Sequence, residues 1–557
     1  MRISRTGLAA ATAALFAAAV PAAAADPLTP YTTQQLQWGD CPFKPAAGDA
    51  PVQCALVTVP RDWAAPAAGT DLQVSVSRAA ATGERKGAIL VNPGGPGGQG
   101  TPLAGALAAL EPSVHRLYDF VGMDPRGTGH AGTDDKGFQC QVPVGRLPQG
   151  PLDARDRSAA SVAAHQQLPR ATAEACQSDA VAPYVTTWQT AHDMDLVRTL
   201  LGDEKLNYLG YSYGTWLGAK YASLFPEHTG KTVLDSSVNF EGRLQADFEA
   251  FPVIDQRQFD DVYLPWLARN FAAQLGGTAA EVKAKWERVR AYYGSHGVSP
   301  DAFDSIFVGN GSEIQWLIGA LVFLQGAAAL DGTSAAPPAK FADSLDAVSR
   351  KAFGVPAASL TPDRVAAAAP DYTQRPGTRF AVACGDQPTR SAAWYRRLSD
   401  RQGPRYPLFG WAYGLGETCG FWSDRPQHDL PDVPASVAAN ILVVQGEFDP
   451  QTGYEQASAA ARSARVPLVS VDDSPFHGQY ALAGNPCVDG LVNVFLTKNS
   501  RPAATTCPGV PLPGEDRVYP VAGPVRSAAP SVQTRLSDAM ASRTRLRDEV
   551  SALNRDR

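Results

Sequence analysis

The sequence predicts an α/β protein: a mostly parallel central sheet flanked by helices and interrupted by one large helical insertion. Three observations support that expectation. Residues 206–225 read as a short apolar strand, a sharp turn bearing one serine, and a helix along which Leu217, Tyr221, Leu224 and Phe225 recur at helical spacing. Ala88-Ile-Leu-Val-Asn92 is a continuous apolar run, as a strand covered on both faces requires, and it ends in the glycine-rich loop Pro93–Gly100. Strand-like runs resume at Ala439–Gln445 and Val466–Val471 after a long stretch without βα alternation.

The serine turn is Gly210-Tyr-Ser212-Tyr-Gly214. Gly-x-Ser-x-Gly between a strand and a helix is the nucleophile elbow of the α/β-hydrolase fold, in which flanking glycines let a strained serine stand exposed at the helix N-terminus. Such a nucleophile needs a base, an acid and an oxyanion hole. In this fold the hole takes one N–H from the loop after an earlier central strand and one from the residue after the nucleophile. Here those are Gly95 and Tyr213. Asp449 follows the strand at Ala439–Gln445 and His477 follows the strand at Val466–Val471. Ser212, Asp449 and His477 are therefore in the order of an α/β-hydrolase triad, with both later members just past strand ends, where open α/β sheets bind ligands. Glu447 and Asp235 are rival positions for the acid, while Asp472 and Asp473 read as solvated loop charges. Asp124 and Arg126, in Asp124-Pro-Arg-Gly-Thr-Gly129, read as braces beneath the site, a use to which bidentate arginine pairs are suited.

Taken in order, the chain opens with Arg2 and Arg5, an apolar run from Leu8 to Val20 and small residues up to Ala25. That is the pattern of a secretory signal peptide over residues 1–25, so the mature protein is expected outside the cell. No later run is expected to reach the roughly 18 apolar residues of a spanning helix. The 557 residues are 44% hydrophobic with a net charge of -6, enough for a sizeable core and without electrostatic grounds for nucleic-acid binding. Eight cysteines in an exported chain predict disulfides. Pairing of sequence neighbours is favoured over nested pairing: Cys41 with Cys54, Cys140 with Cys176, Cys384 with Cys419, and Cys487 with Cys507. Each bond would add about 2–4 kcal/mol.

Strands are expected at Cys54–Pro60, at Asp71–Ser77 (alternating, as in a half-exposed edge strand), at Tyr118–Met123 and at Lys231–Asp235, with an amphipathic helix from His192 to Leu201. Helices rich in aromatics are expected at Phe259–Leu275, Thr278–Tyr293 and Ile314–Ala329, the second opened by the capping box Thr278-x-x-Glu281. The resulting division is an α/β core over 26–239, a helical cap over 240–425, the rest of the core over 426–510 and a C-terminal extension over 511–557. The extension contains a polar helix from Ser531 to Asn554 that either packs on the core or holds a partner.

With these residues in place the chain resembles the secreted bacterial tripeptidyl aminopeptidases, in the prolyl-aminopeptidase group of α/β-hydrolase serine peptidases. The likeness rests on Asn92-Pro-Gly-Gly-Pro-Gly97, Asp124-Pro-Arg-Gly-Thr-Gly129, Gly210-Tyr-Ser-Tyr-Gly-Thr215, Gly446-x-x-Asp449-Pro and Phe476-His477-Gly478. It implies release of short peptides, commonly three residues long, from free N-termini, beneath a helical cap that selects the chain end. An aminopeptidase needs carboxylates for the substrate's ammonium group, and Glu241, Glu313, Asp386 and Glu417 are candidates in or beside the cap. Phe476 departs from the glycine that relatives often carry before the histidine. The sequence has no nucleotide or metal motif, so no cofactor is implied, and the oligomeric state is left open. Two other readings stay open: a secreted carboxylesterase or amidase with the same triad, and a hydrolase-fold binding protein without catalysis.

Overall fold

A computed structural model describes residues 26–368, 371–498, 500–525 and 540–553. The expected signal peptide lies outside the described residues. Among the described residues eleven strands form two sheets: β1 (Gln53–Val59), β2 (Leu72–Ala79), β3 (Ala88–Asn92), β4 (Asp119–Met123), β5 (Gln139–Gln141), β6 (Leu206–Tyr211), β7 (Thr229–Asp235), β8 (Gln374–Pro376), β9 (Ile441–Gly446), β10 (Leu468–Val471) and β11 (Thr505–Cys507). Nine of them make the central sheet in the order β1-β2-β4-β3-β6-β7-β9-β10-β11, and β5 pairs with β8 apart from it. From β4 to β11 every neighbouring pair is parallel, and β1 and β2 join as an antiparallel extension. The architecture is that of an α/β hydrolase, as the sequence predicts.

Alternation along the strands distributes side chains between two cores. In β3, Ala88 and Leu90 face one core, and Ile89 and Val91 the other. In β9, Ile441 and Val443 face the first and Leu442 and Val444 the second. This period of two is why these strands read as unbroken apolar runs. The chain then leaves the sheet after β7, and helical segments from Leu244 to Phe421 precede β9. They build a third core around Trp266, Trp286, Trp316, Phe259 and Phe307. Two residues from the sheet side join that core: Phe448, beside Asp449, and Phe476, beside His477. The rings of Phe476 and Trp316 lie 5.3 Å apart. The aromatic residue before the histidine therefore anchors its loop between the layers.

Several expectations need correction. β2 is not an edge strand: it lies between β1 and β4, and most of its residues are buried. The helix expected over Phe259–Leu275 is broken, because a π-helical turn at Phe259–Tyr263 and a stop at Phe271 divide it. Among the described residues one helix, Glu313–Asp331, is long and apolar enough to cross a membrane, contrary to the sequence reading, but Trp316, Ala320, Val322 and Phe323 along it are fully buried in the third core. The Thr278–Glu281 capping box forms as expected. All four disulfides join the expected sequence neighbours.

The C-terminal helix spans Met540–Ala552; residues 531–539 and 554 of the expected helix lie outside the described residues. It packs on the core through Leu546 and Val550. The segment before it, up to Val525, is tied to the sheet end through Val521 N–H to Asp473 and Val525 N–H to Glu447.

Candidate active site

Ser212 directly follows β6 and is the N-cap of the helix Tyr213–Leu224. Its backbone is left-handed, with φ 58° and ψ -129°, a costly conformation for a residue with a Cβ. The sharp turn brings strand and helix so close that a Cβ on Gly210 would lie 2.5 Å from the carbonyl oxygen of Gly214. The loop after β3 runs alongside. A Cβ on Gly94 would lie 2.5 Å from Tyr211 O, 2.8 Å from the Ser212 Cβ and 3.1 Å from Tyr213 N. Asn92, the last residue of β3, starts that loop by accepting a hydrogen bond from Gly94 N. The backbone at Gly94 therefore lies against Ser212 and the backbone nitrogen of Tyr213.

On the other side of β6 the end of β7 joins two loops. The carbonyl of Asp235 accepts from Ser212 N at 3.1 Å, and its carboxylate accepts from Gln479 N at 3.0 Å and Tyr480 N at 2.6 Å. Ser236 Oγ accepts from Gly478 N at 2.7 Å. The histidine loop is thus fastened to the same strand end that holds the serine turn. His477 itself donates its backbone N–H to Gly311 O, at the start of the helix Glu313–Asp331. Its Nδ1 lies 3.0 and 2.9 Å from the two carboxylate oxygens of Asp449. Asp449 is fixed further by Gln451 N, Thr452 N and the Thr452 hydroxyl. Both side chains are fully buried. The Nε2 of His477, on the opposite edge of the ring, is buried and has no hydrogen-bond partner among the described residues.

The rivals for the acid position have other partners. Asp235 holds the histidine loop by its backbone, not its ring. Glu447 accepts from Asp473 N and Val525 N. Asp472 and Asp473, expected as solvated, are buried, and their carboxylates lie with that of Glu447 within 4.8 Å of one another. A strand-end loop covered by the C-terminal extension accounts for that difference. Asp124 and Arg126 brace the loops as expected. Arg126 pairs with Asp193 through two bonds of 2.7 and 2.5 Å, and also donates to the carbonyls of Pro60, Arg61 and Tyr184. Asp124 accepts from Thr101 and Ala131.

Comparison with known proteins identifies the family. A model described as "TAP-like protein" matches residues 406–507. The chain is 33% identical over 492 residues to the tripeptidyl aminopeptidase of Streptomyces lividans, covering 83% of this chain and 84% of that one. The chain belongs to the tripeptidyl aminopeptidase family. It is a serine peptidase by that membership. It is also similar to the serine protease Hip1 of Mycobacterium tuberculosis, at 26% identity over 85% of this chain and 91% of the relative. A carboxylesterase B of the same organism is 30% identical, over 87% and 92% of the two chains.

Each of the four carboxylates proposed from sequence to meet a substrate amine in this tripeptidyl aminopeptidase relative already has a partner. Asp386 lies beneath the nucleophile helix, accepting from Thr187 N and Trp216 Nε1, while the Thr187 hydroxyl bonds the phenol of Tyr213 at 2.6 Å. Glu241 accepts from Val433 N, and Glu417 accepts from Cys419 N next to the Cys384–Cys419 disulfide. Glu313 sits two residues after Gly311, against which His477 rests, and its carboxylate faces Arg547 at 2.7 Å. The sequence reading missed Ser236 and Gln451 as parts of the site. Gln451 spans from Gly309 O to Ser551. Their positions just after β7 and just after Asp449 were the available signal.

Burial has a consequence for stability. Asp235 and Asp247 are both pushed up to about 7, chiefly by burial. Burial raises Glu111 to about 7 as well, with Asp489 adding to it. The folded chain keeps protons on these groups that the unfolded chain releases above about pH 4 to 4.5. Their contribution is complete below that range and is lost as pH rises through about 7. The melting temperature is therefore expected to be higher at pH 5 than at pH 8. A melting temperature that climbs over that interval would contradict the burial account.

Proposed function

We propose that this chain is an exported serine exopeptidase that releases short peptides, tripeptides foremost, from free N-termini. The observation that carries the reading is the buried His477–Asp449 pair, held to the strand end that also fixes Ser212. Ser212 Oγ attacks the scissile carbonyl while His477 Nε2 takes its proton and then passes it to the leaving amine. Asp449 holds Nδ1–H and stabilises the imidazolium. The N–H groups of Gly95 and Tyr213 receive the oxyanion, and water then hydrolyses the acyl-enzyme.

The helical residues 240–425 act in this reading as a cap that admits a chain end, and Glu313 is the carboxylate best situated for the substrate's α-ammonium. Four disulfides support export, since such bonds persist in oxidising compartments. The relatives named tripeptidyl aminopeptidase support the substrate class.

Digestion of a peptide set, with the fragments read by mass spectrometry, tests it. Tripeptides leaving free N-termini, and no cleavage of the N-acetylated forms, is the expected result; equal turnover of both would remove the exopeptidase claim. A second reading, an esterase with the same triad, is favoured by the similarity to carboxylesterase B. It would appear as rapid hydrolysis of simple acyl esters with no peptide fragment released.

A further inference from the structure

The three residues of the proposed triad are shut in. Ser212 is 2% exposed, and Asp449 and His477 are not exposed at all. An extended peptide cannot reach this serine unless something moves.

The C-terminal helix meets each part of the site. The carbonyl and hydroxyl oxygens of Ser551 both accept from Gln451 Nε2 at 2.8 Å, two residues from Asp449. A Cβ on Gly311 would lie 2.5 Å from the His477 Cβ and 2.6 Å from Ser551 Oγ, so helix and histidine flank one glycine. At the oxyanion loop, a Cβ on Gly98 would lie 2.5 Å from Leu553 Cδ1. Next to that loop, Arg379 donates to Leu553 O at 3.1 Å. Arg547 sets a cation on Glu313 at 2.7 Å, where the proposed reading expects the substrate's ammonium.

The helix is held by non-covalent contacts alone among the described residues, with Leu546, Arg547, Val550 and Ser551 buried. Residues 540–553 follow the Cys487–Cys507 disulfide, so no cross-link among the described residues holds them. The helix enters the second core through Leu546 and Val550. The rest of its hold is largely polar, through Arg543 on Asp489, Arg545 on Asp49 and Asp548 with Lys351.

We propose that the C-terminal helix is an intramolecular occupant of the substrate cleft, and that peptides gain Ser212 only when the helix swings out or is cut away. This rests on the reading of Ser212 as nucleophile and Glu313 as amine receptor. Arg547 stands in for the substrate's charged end, and Ser551 and Leu553 fill space beside the acid and oxyanion loops. The helix thereby keeps a peptidase silent until the tail is displaced.

The test compares three proteins: the full chain, a form ending at Val525, and a full-length Leu546→Asp/Val550→Asp variant that expels the helix from its core. Two rates are read: fluorophosphonate labelling of Ser212, and kcat/KM on a free-amine tripeptide anilide. Both are expected to rise tenfold or more in the shortened and expelled forms. A synthetic peptide of residues 540–557 should bring the shortened form back toward the full-length rate, competitively with substrate. Equal rates in all three proteins would overturn the proposal while leaving the serine peptidase reading intact. Slower rates in forms that still melt cooperatively would make the helix a working wall of the site and overturn it too. If the shortened form does not fold, the expelled variant decides; loss of cooperative melting in both also overturns it, because an occupant leaves a folded enzyme behind. Absence of labelling in every form would strike at Ser212 itself, and the proposal would fall with it.

Discussion

Replacing Ser212 by alanine is expected to lower kcat by a factor on the order of 10^6, leaving the slow turnover that the oxyanion hole and binding alone provide. The melting temperature should barely change, because alanine keeps the Cβ and the same left-handed backbone at φ 58°. Ser212→Gly separates the two properties. It removes the nucleophile just as completely, but it also removes the Cβ that makes this backbone costly, by about 1–3 kcal/mol. Glycine gives part of that back through its greater freedom when unfolded. The glycine variant should thus be as inactive as the alanine variant and melt higher. Kinetics on a tripeptide anilide beside thermal unfolding of both variants checks this. A Ser212→Ala protein that keeps a tenth or more of its activity would mean another group attacks the carbonyl.

That strain explains what was legible in the sequence. The serine turn can be read because its requirements are local: a strand, a helix and glycine at Gly210 where a Cβ would meet the Gly214 carbonyl. The central strands are legible because burial on two faces writes an unbroken apolar run, as at Ala88–Asn92 and Ile441–Gly446. Residues defined by distant neighbours were not. Asp472 and Asp473 look like loop charges until Glu447 and the segment ending at Val525 close over them. Strand β11 is three residues long, two of them exposed, and pairs with β10. The C-terminal helix is too polar to announce a buried face, since Arg547 and Ser551 are buried by partners supplied from Glu313, Leu482, Gln315 and Gln451. The assignment of Asp449 over Asp235 lies between these cases. Asp235 ends β7 and Asp449 follows β9, both stand near the site, and only the direction of one imidazole separates them.

Asp449→Asn turns that separation into a measurement, with an expected loss of about 10^4 in kcat. The reason lies in the donors already present. Asp449 Oδ1 accepts from the backbone N–H groups of Gln451 and Thr452 at 2.8 and 3.0 Å, so the asparagine oxygen must take that position. Its NH2 then falls where Oδ2 now stands, 2.9 Å from His477 Nδ1, so the nearer of the ring's two contacts becomes a donor, while the oxygen, 3.0 Å from the same nitrogen, is already taken by two backbone N–H groups. Two donors cannot face each other there. The imidazole gives up the Nδ1 proton, carries it on Nε2 instead, and has no lone pair left for the Ser212 hydroxyl. The Thr452 hydroxyl, which donates to Oδ2, can rotate to accept and so does not resist the change. The fold survives and the tautomer is wrong. At Asp235 the same substitution meets two backbone donors, Gln479 and Tyr480, and disappoints one of them. That loosens the histidine loop and lowers stability without touching the tautomer, so the kinetic loss should be far smaller than at Asp449. The pair of variants, compared in kcat and in melting temperature, decides the acid. Asp235→Asn proving the more damaging to kcat, at equal stability, would move that role from the end of β9 to the end of β7.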